Sequence, residues 1–578
     1  SIKLTERQTK ALTISAVILV SSFAGLIAIG VPVSYNSNYK PEMAAFSRGQ
    51  YAIWPETSGE RIADDIMFNI IADYESTAAR LELAGNEYGA LQFVWKTFNT
   101  QTYLKNYTIS PFIHTENNGE KINASNCNLR LVDYYLYEEF PEILVPINTS
   151  DTGPLLLEDH NILWFNIRTP YAAYPGIYHG NVTLEMEIDG LDMETRLDVN
   201  VEIWNFTVPE QRHIRTVMGY GYSSSSEMYQ HYKNHRMNTR SFPFSASYDG
   251  NSWTFDWASF DAEMEQFLED GFNAFDIAGG CGMSRAPNPD DTAYIQKLQS
   301  YLSAIQTHCE TKTYRGVPWM EFIFWYFIDE YTLFLPSSYD SFDAYFEDLA
   351  VIMAKMMEAA PDLHIMTTGY AKPANEILKP YITIYCPVTP DYIKPIWDQY
   401  MAEGKEFWYY TCVQPFAPMP NFHLYNRLFE IRLLDWQLYR YGCVGYLGWG
   451  STSPKHGGGG PGHNGWGDGW FLYYVDDDIY DSIRWENFLD GQEDYEYLWL
   501  LNASITEAEQ NGTITSAKAE EMKGKLQNAI DKVTLDYWDY TDVVDPIYIG
   551  RADIAEMLEY LAPRIDLETI GERMWIPM

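Results

Sequence analysis

Two adjacent carboxylates close a hydrophobic stretch in the middle of the chain. The segment EFIFWYFIDEY has an unbroken apolar and aromatic run from Phe322 to Ile328, followed by Asp329 and Glu330. Such a run predicts a buried strand, and acids placed against a core need either cationic partners or a chemical role. The pair therefore marks Asp329 and Glu330 as candidate catalytic residues.

Hydrolysis of a glycosidic bond is a reaction that such a pair could support. Neighbouring residues on a strand point to opposite sides, so the pair is not expected to straddle a bond as nucleophile and acid/base. In substrate-assisted hydrolysis the sugar's own 2-acetamido oxygen attacks the anomeric carbon, one carboxylic acid protonates the leaving oxygen, and its neighbour orients the acetamido group. Adjacent acids suit that scheme. Alternatively, one acid caps the following helix while the other pairs with a surface cation.

Eight strand-like runs alternate with helix-like segments around the acid pair. They lie at residues 216–222, 239–245, 273–279, 321–330, 363–369, 382–388, 406–413 and 443–450. This alternation predicts an α/β fold, a (β/α)8 TIM barrel over residues 213–484, with a doubly wound sheet as the alternative. Since the carboxyl ends of barrel strands form the active face, we expect the acids at the end of the fourth strand to lie there.

The barrel is flanked by segments of different composition. Alternating runs separated by turn residues predict an all-β sandwich over residues 42–209, and helical periodicity predicts a C-terminal helical region over residues 485–578. Residues 11–33 carry no charge and would span about 30 Å as a helix. Residues 1–10 are basic, which predicts a cytoplasmic stub followed by a transmembrane signal anchor.

This topology predicts a single-pass protein of the cell membrane with its body outside the cell. The membrane would be a partner through the N-terminal helix, and assembly at the cell surface is a further expectation. Sequons for N-glycosylation agree with an extracellular body. They lie at Asn106, Asn123, Asn148, Asn181, Asn205, Asn502 and Asn511.

Composition excludes some classes of function. The formal net charge of -41 repels polyanions, so nucleic acid is not an expected partner. The 6 cysteines form no CxxC pair and no cluster with metal-ligand spacing, and no dinucleotide or P-loop fingerprint is present. We therefore expect no metal and no cofactor. Aromatic residues make up 16% of the chain, which suits a carbohydrate cleft as well as a large core.

Several motifs carry a resemblance to a known family. They are PYAAYPGIYHGNVTL, FWYYTCVQP, YGCVGYLGWG, GWGDGWFLYY and SIRWENFLDGQEDYEYLWLL, together with the acid pair. With these motifs, the stretch from about residue 154 to 502 resembles glycoside hydrolase family 123, β-N-acetylgalactosaminidases that combine an N-terminal β-sandwich with a TIM barrel. The resemblance implies that Glu330 is the general acid/base and Asp329 the carboxylate that orients the acetamido group.

Further residues are candidates for substrate binding. Tyr409 and Trp449, near the ends of their strands, are expected as aromatic walls for the sugar, although Tyr409 could equally pack in the barrel core. Asp468, in the glycine-rich loop after the eighth strand, is expected to bind sugar hydroxyls. The stretch RWENFLDGQEDYEY is interpreted as structural, with Arg484 forming ion pairs to Glu486, Asp490 or Asp494 that fasten the C-terminal helices to the barrel.

The sequence therefore predicts a membrane-anchored extracellular glycoside hydrolase. Its expected glycan substrate carries β-linked N-acetylhexosamine of the GalNAc type, cleaved by retaining, substrate-assisted catalysis. A non-catalytic glycan-binding or surface-layer protein that keeps the barrel is the alternative from a different class. A hydrolase for sugars without an acetamido group is a third possibility.

Overall fold

The computed structural model of the chain describes most of the residues after position 45. These are residues 46–47, 51–62, 78–97, 100–135, 140–149, 153–157, 160–219, 222–280, 288–332, 335–369, 376–389, 394–454, 467–475 and 478–574. The chain divides into two compact units. The first contains residues 1–209, 416–437 and 480–571, and the second contains residues 210–415, 438–479 and 572–578. The predicted domain boundaries stay predictions.

The secondary-structure elements are numbered in chain order. Strands β1 to β13 are Phe46–Ser47, Tyr51–Thr57, Ala78–Gly85, Tyr88–Thr97, Thr102–Ile109, Phe112–His114, Lys121–Ile122, Cys127–Tyr135, Phe140–Pro146, Leu155–Leu157, His160–Arg168, Gly176–Ile188 and Leu191–Thr207. Strands β14 to β28 are Arg215–Met218, Asn238–Thr239, Ala246–Tyr248, Trp253–Phe255, Phe275–Asp276, Thr313–Tyr314, Val317–Pro318, Ile323–Ile328, His364–Thr368, Ile384–Cys386, Glu406–Tyr410, Gly445–Gly448, Thr452–Pro454, Leu472–Val475 and Asp478–Tyr480. Helices α1 to α10 are Glu227–Asn234, Trp257–Glu269, Thr292–Cys309, Phe342–Ala359, Lys394–Ala402, Phe429–Arg440, Ile483–Gln510, Ser516–Val533, Asp545–Leu561 and Leu567–Gly571.

Two sheets in the first unit share one hydrophobic core. The 6-stranded sheet has the order β1-β2-β4-β11-β8-β9, and the path of the 7-stranded sheet is β10-β5-β12-β13-β3. In β12, buried residues such as Val182, Leu184 and Met186 alternate with more exposed ones, which is the pattern of a strand with one face in a core. Tyr51, Phe93 and others from the first sheet pack in the same cluster. The β-rich N-terminal region is therefore a sandwich.

The second unit contains a barrel of eight parallel strands. Its order is β15-β14-β25-β24-β23-β22-β21-β18, so each strand pairs with its neighbour in the barrel sequence and the eighth returns to the first. A parallel bridge between Ser241 and Asp276 joins the second and third strands. Side chains fill the interior, including Phe324, Met366 and Trp408. Each of the eight predicted runs overlaps one of these strands, so the predicted barrel is confirmed.

The predicted membrane topology needs correction. No helix in the described ranges is long and apolar enough to cross a lipid bilayer. This finding contradicts the predicted localisation, a single-pass protein of the cell membrane with its body outside. The predicted spanning segment, residues 11–33, and the stub before it lie outside the described residues.

The seven sequon asparagines lie on described parts of the chain. Five of them are exposed, while Asn181 and Asn502 are partly buried. Nothing tests whether any of them carries a glycan, so glycosylation stays a prediction.

Candidate active site

A pocket opens at the carboxyl ends of the barrel strands. Its volume is about 290 Å³, near the lower end of the range for small-molecule sites, which suits a single sugar ring. The described residues that line it are Arg240, Tyr326, Asp329, Glu330, Thr368, Tyr410, Cys412, Val413, Leu447, Trp449 and Asp468. Four of the five sequence-predicted catalytic and substrate-binding residues, Asp329, Glu330, Trp449 and Asp468, thus lie around one cavity.

The backbone at the end of β21 delivers both acids to this pocket. The pairing between β21 and β22 shifts register between Tyr326 and Ile328, and the acid pair follows the last strand residue. Glu330 has a φ of 47°, in the left-handed region that costs a non-glycine residue about 1–2 kcal/mol. Strand alternation therefore does not apply to the pair, and the expectation that the two side chains point to opposite sides is not met.

Gly369 makes room for this backbone. Its φ is +131°, and a Cβ there would lie 3.0 Å from Thr332 Oγ1 and 3.4 Å from the Cα of Glu330. An L side chain at position 369 would be strained by its own backbone and tight against Thr332 Oγ1, whereas its distance to the Cα of Glu330 is an ordinary van der Waals contact. Glycine is therefore favoured at position 369, beside Glu330.

Two hydroxyl groups hold Asp329. The Tyr326 hydroxyl donates to Asp329 Oδ1 at 2.7 Å, and the Thr368 hydroxyl donates to the same oxygen at 2.9 Å. Burial, followed by the Asp329 carboxylate, raises the pKa of Tyr326 well above its usual value, so this phenol keeps its proton. Asp329 itself is exposed to the pocket. In the described part of the chain its second oxygen, Oδ2, has no hydrogen-bond partner, which leaves it available to a ligand.

Glu330 has one side-chain donor, Tyr410, and donates from its own backbone to Thr368. The Tyr410 hydroxyl donates to Glu330 Oε1 at 2.9 Å, and the backbone N–H of Glu330 donates to Thr368 Oγ1 at 3.0 Å. Burial, followed by the Glu330 carboxylate, raises the pKa of Tyr410 far above its usual value. Thr368 therefore links the two acids, while each acid has its own tyrosine.

An indole and a carboxylate form another side of the pocket. Trp449 Nε1 donates to Asp468 Oδ1 at 2.9 Å, and Asp468 is only 5% exposed. Gly469, with a φ of +72°, packs directly against the Trp449 ring. Asp468 thus orients the tryptophan, in addition to lining the cavity.

Tyr409 does not reach the pocket. Its exposed fraction is 0%, and its ring packs against Tyr446 at 5.9 Å between centroids. The expectation of an aromatic wall at Tyr409 therefore needs correction. The next residue, Tyr410, faces the cavity instead, because successive side chains of β24 point to opposite sides.

The sequence did not identify several of the residues that line the pocket. Tyr326 and Thr368 sit inside apolar strands, and the one signal for Tyr326 was its position three residues before Asp329. Arg240 follows the second strand, and its guanidinium lies 4.6 Å from the centre of the Tyr326 ring. Burial raises the pKa of the Cys412 thiol to about 12, so this cysteine is a neutral thiol and not a nucleophilic thiolate.

The RWENFLDGQEDYEY stretch forms ion pairs, but with other partners than expected. It lies in α7, where Arg484 contacts Glu142 of β9 at 2.6 Å and Glu486 contacts Arg130 of β8 at 2.6 Å. Asp494 accepts from Arg432. All of these residues belong to the first unit, so the network joins α7 to sandwich strands and to α6.

A parallel barrel with an acid pair and an aromatic wall at its carboxyl face is an arrangement suited to glycoside cleavage. The comparisons agree with this class. Residues 228–501 match the family model described as Glycoside hydrolase 123, catalytic domain. The chain therefore carries a catalytic domain of the glycoside hydrolase 123 family, as its motifs predicted, and it is a glycoside hydrolase.

A solved structure shows the same fold. A family 123 glycoside hydrolase from Clostridium perfringens, studied for glycolipid glycan hydrolysis, matches with a TM-score of 0.60 and 14% identity, covering 89% of this chain and 98% of that chain. A β-glucuronidase from Parabacteroides merdae matches with a TM-score of 0.29 and 11% identity, over 72% of this chain and 51% of that chain. The second similarity is too low to support any argument. Comparison with curated proteins gave no match.

Proposed function

We propose that the protein cleaves β-linked N-acetylhexosamine, of the GalNAc type, from glycans by substrate-assisted, retaining catalysis. The observation that carries this proposal is that Asp329 and Glu330 line one pocket with separate sets of hydrogen-bond donors. Two acids with different environments can take different roles. Glu330 is the general acid/base, and Asp329 orients the acetamido group.

The partners of Asp329 support its part in the reaction. Tyr326 and Thr368 both donate to Oδ1, so the carboxylate is fixed while Oδ2 is left for the acetamido N–H of the sugar. Holding that group turns its carbonyl oxygen towards the anomeric carbon, and the carboxylate stabilises the positive charge that develops on the acetamido nitrogen.

Glu330 can carry the proton that the leaving oxygen needs. Tyr410 occupies Oε1, which leaves Oε2 for the glycosidic oxygen and later for the attacking water. The sugar supplies the nucleophile, so the protein needs none, and the neutral Cys412 thiol agrees with that. Trp449, oriented by Asp468, provides a ring face for the apolar C–H face of a pyranose.

A substrate panel tests this proposal. Aryl β-N-acetylgalactosaminide, aryl β-N-acetylglucosaminide and the matching aryl β-galactoside are compared for turnover by the purified protein. We expect turnover only when the sugar carries the 2-acetamido group, with the N-acetylgalactosaminide preferred. Asp329→Asn should lower kcat by about 10²–10³-fold, and Asp290→Asn, an exposed acid outside the pocket lining, should leave it unchanged.

The outcomes separate the possible functions. Equal turnover of the galactoside would replace substrate assistance with a mechanism for sugars that lack the acetamido group. Inhibition by a 2-acetamido sugar thiazoline, which resembles the bicyclic intermediate, would support the proposal because intermediate analogues bind more tightly than substrates. No turnover of either N-acetylhexosaminide would overturn it.

A further inference from the structure

The third strand of the barrel is short, and its last residue compensates for this. Strand β18 contains only Phe275 and Asp276. The backbone of Asp276 joins it to the neighbouring segment, because its N–H donates to Arg240 O at 3.3 Å and its carbonyl accepts from Phe242 N at 2.9 Å. Asp276 therefore closes the seam of the barrel next to the pocket.

The side chain of Asp276 reaches the opposite neighbour, β21. In the parallel register Asp276 lies beside Phe324, so β18 ends before it could pair with the residues further along β21. Asp276 Oδ1 accepts the backbone N–H of Tyr326 at 3.2 Å and that of Ala278 at 2.9 Å. The carboxylate takes the place of a missing strand carbonyl and holds the turn that follows β18.

This contact is made to the backbone of Tyr326, one of the two residues that hold Asp329. Tyr326 is the residue at which β21 shifts register against β22, and its hydroxyl donates to Asp329 Oδ1. Asp276 is 5% exposed and does not belong to the pocket lining. Burial raises its pKa to about 6, against the opposing effect of the two N–H donors and Arg240.

We propose that Asp276 is a positioning residue, which fixes the Tyr326 backbone so that the Tyr326 hydroxyl holds Asp329 in its working orientation. The inference rests on the proposed role of Asp329. Position 276 requires a hydrogen-bond acceptor at Oδ1, but it does not require a negative charge.

Two substitutions at position 276 test this requirement. Asp276→Asn keeps an oxygen that accepts both N–H groups, so it should retain kcat within about 3-fold. Asp276→Ala removes the acceptor and should lower kcat on the aryl N-acetylhexosaminide by about 10- to 100-fold, the cost of a small misplacement of a catalytic group, with KM changed much less. If Asp276→Ala does not fold, Asp276→Val removes the same acceptor while filling most of the space.

Asn273 provides a matched control on the same segment. It is 1% exposed and its amide donates to the carbonyls of Arg212 and Ile214, at the amino end of the barrel strands. Asn273→Ala should lower the melting temperature without a selective loss of kcat per folded molecule.

A double-mutant cycle shows whether Asp276 acts through the tyrosine. In a Tyr326→Phe background, where the hydroxyl is gone, Asp276→Ala should cost about 3-fold or less, because two residues of one network are not additive. The proposal would be overturned if Asp276→Ala lowered kcat by the same factor in both backgrounds. It would also be overturned if the kcat of Asp276→Asn were as low as that of Asp276→Ala. If the wild type is active and Asp329→Asn is impaired while Asp276→Ala is silent, only this inference fails. An inactive wild type would instead overturn the proposed function.

Discussion

Two groups of acids, one in the barrel pocket and one along α7, are held in opposite ways. In the pocket, Asp329 and Glu330 take hydrogen bonds from the neutral hydroxyls of Tyr326, Thr368 and Tyr410. No ion pair to either acid is found in the described part of the chain. The two acids are therefore held in position without a cation that would fix them in the charged form.

Three acids of α7, Glu486, Asp490 and Asp494, are paired with arginines instead. Arg432 contacts Asp494 at 2.6 Å and Asp490 at 3.3 Å, and Arg130 contacts Glu486 at 2.6 Å. The side chains of Arg432 and Asp494 are 2% and 0% exposed. Buried charges that are compensated in this way fix the structure, and their burial keeps a substrate away from them.

The difference teaches that the partner, rather than the acid, separates the proposed catalytic carboxylates from the structural carboxylates in this protein. A hydroxyl donor orients a carboxylate and leaves its charge available, whereas an arginine removes that charge from the chemistry. Substitutions in the two groups should therefore change different measurable quantities, turnover in the first and stability in the second.

The largest effect is expected at Glu330. Glu330→Gln removes the proton donor and should lower kcat on a β-N-acetylhexosaminide with a poor leaving group by about 10²–10⁴-fold, with the melting temperature unchanged or slightly raised. Glu321→Gln, at the other end of the same strand segment and paired with His364, is the control and should keep full turnover. A Glu330→Gln variant that loses stability but keeps its specific activity would contradict the expected difference between the two groups of acids.

Arg432→Met should have the opposite profile. It leaves Asp490 buried without the arginine that contacts it and leaves Asp494 with only the longer arginine contact, to Arg551 at 3.5 Å. The free energy of unfolding should therefore fall by about 3–5 kcal/mol, measured by denaturant titration. Turnover per folded molecule should stay near that of the wild type. As a control, Arg196→Met removes an exposed pair with Asp198 and should cost about 1 kcal/mol or less.

Thr368→Val is expected to act on turnover by a smaller factor. It removes the hydroxyl that donates to Asp329 and accepts from the Glu330 backbone, so kcat should fall by about 10-fold, the value of one hydrogen bond to a charged group. Thr367→Val, equally buried on the same strand but outside the pocket lining, should change kcat little. Equal losses from both threonines would mean that packing, not the hydroxyl, is responsible.

Glu60 offers the smallest and most specific test. Burial, with smaller contributions from Glu56 and Asp545, raises its pKa to about 7, and Arg427 opposes this only weakly. The folded pKa lies above the ordinary value of 4.5, so the folded state holds the proton longer and stability should fall as pH rises from about 4.5 to 7. Glu60→Gln should therefore be more stable than the wild type at pH 8 by about 1 kcal/mol and equal to it at pH 4. If denaturation curves show no pH-dependent difference, burial is not controlling this acid.

Much of the fold could be predicted because it depends on periodicity. Eight apolar runs alternating with helical segments identified the barrel, and its geometry then placed Asp329 and Glu330 at the carboxyl face. Trp449 and Asp468 followed from their positions near the end of the eighth strand and in the loop after it.

The errors have physical causes in the strands themselves. All residues of β24 are buried, because a strand of a parallel barrel is covered on both faces, so no alternation distinguished Tyr409 from Tyr410. The register shift in β21 carries no sequence signal of its own, which hid Tyr326 and the role of Asp276. The ion-pair partner of Arg484, Glu142, lies in β9, more than three hundred residues away in the chain, where periodicity gives no information.

The backbone beside Glu330 limits which residues can be changed in a redesign of the enzyme's specificity. A saturation library at position 369 should return mostly glycine among its active clones, because the φ of +131° strains any L side chain and a Cβ there would lie 3.0 Å from Thr332 Oγ1. Val413, which lines the same cavity and is 42% exposed, has no such restriction. Directed evolution towards bulkier glycans should therefore keep Gly369 and vary Val413.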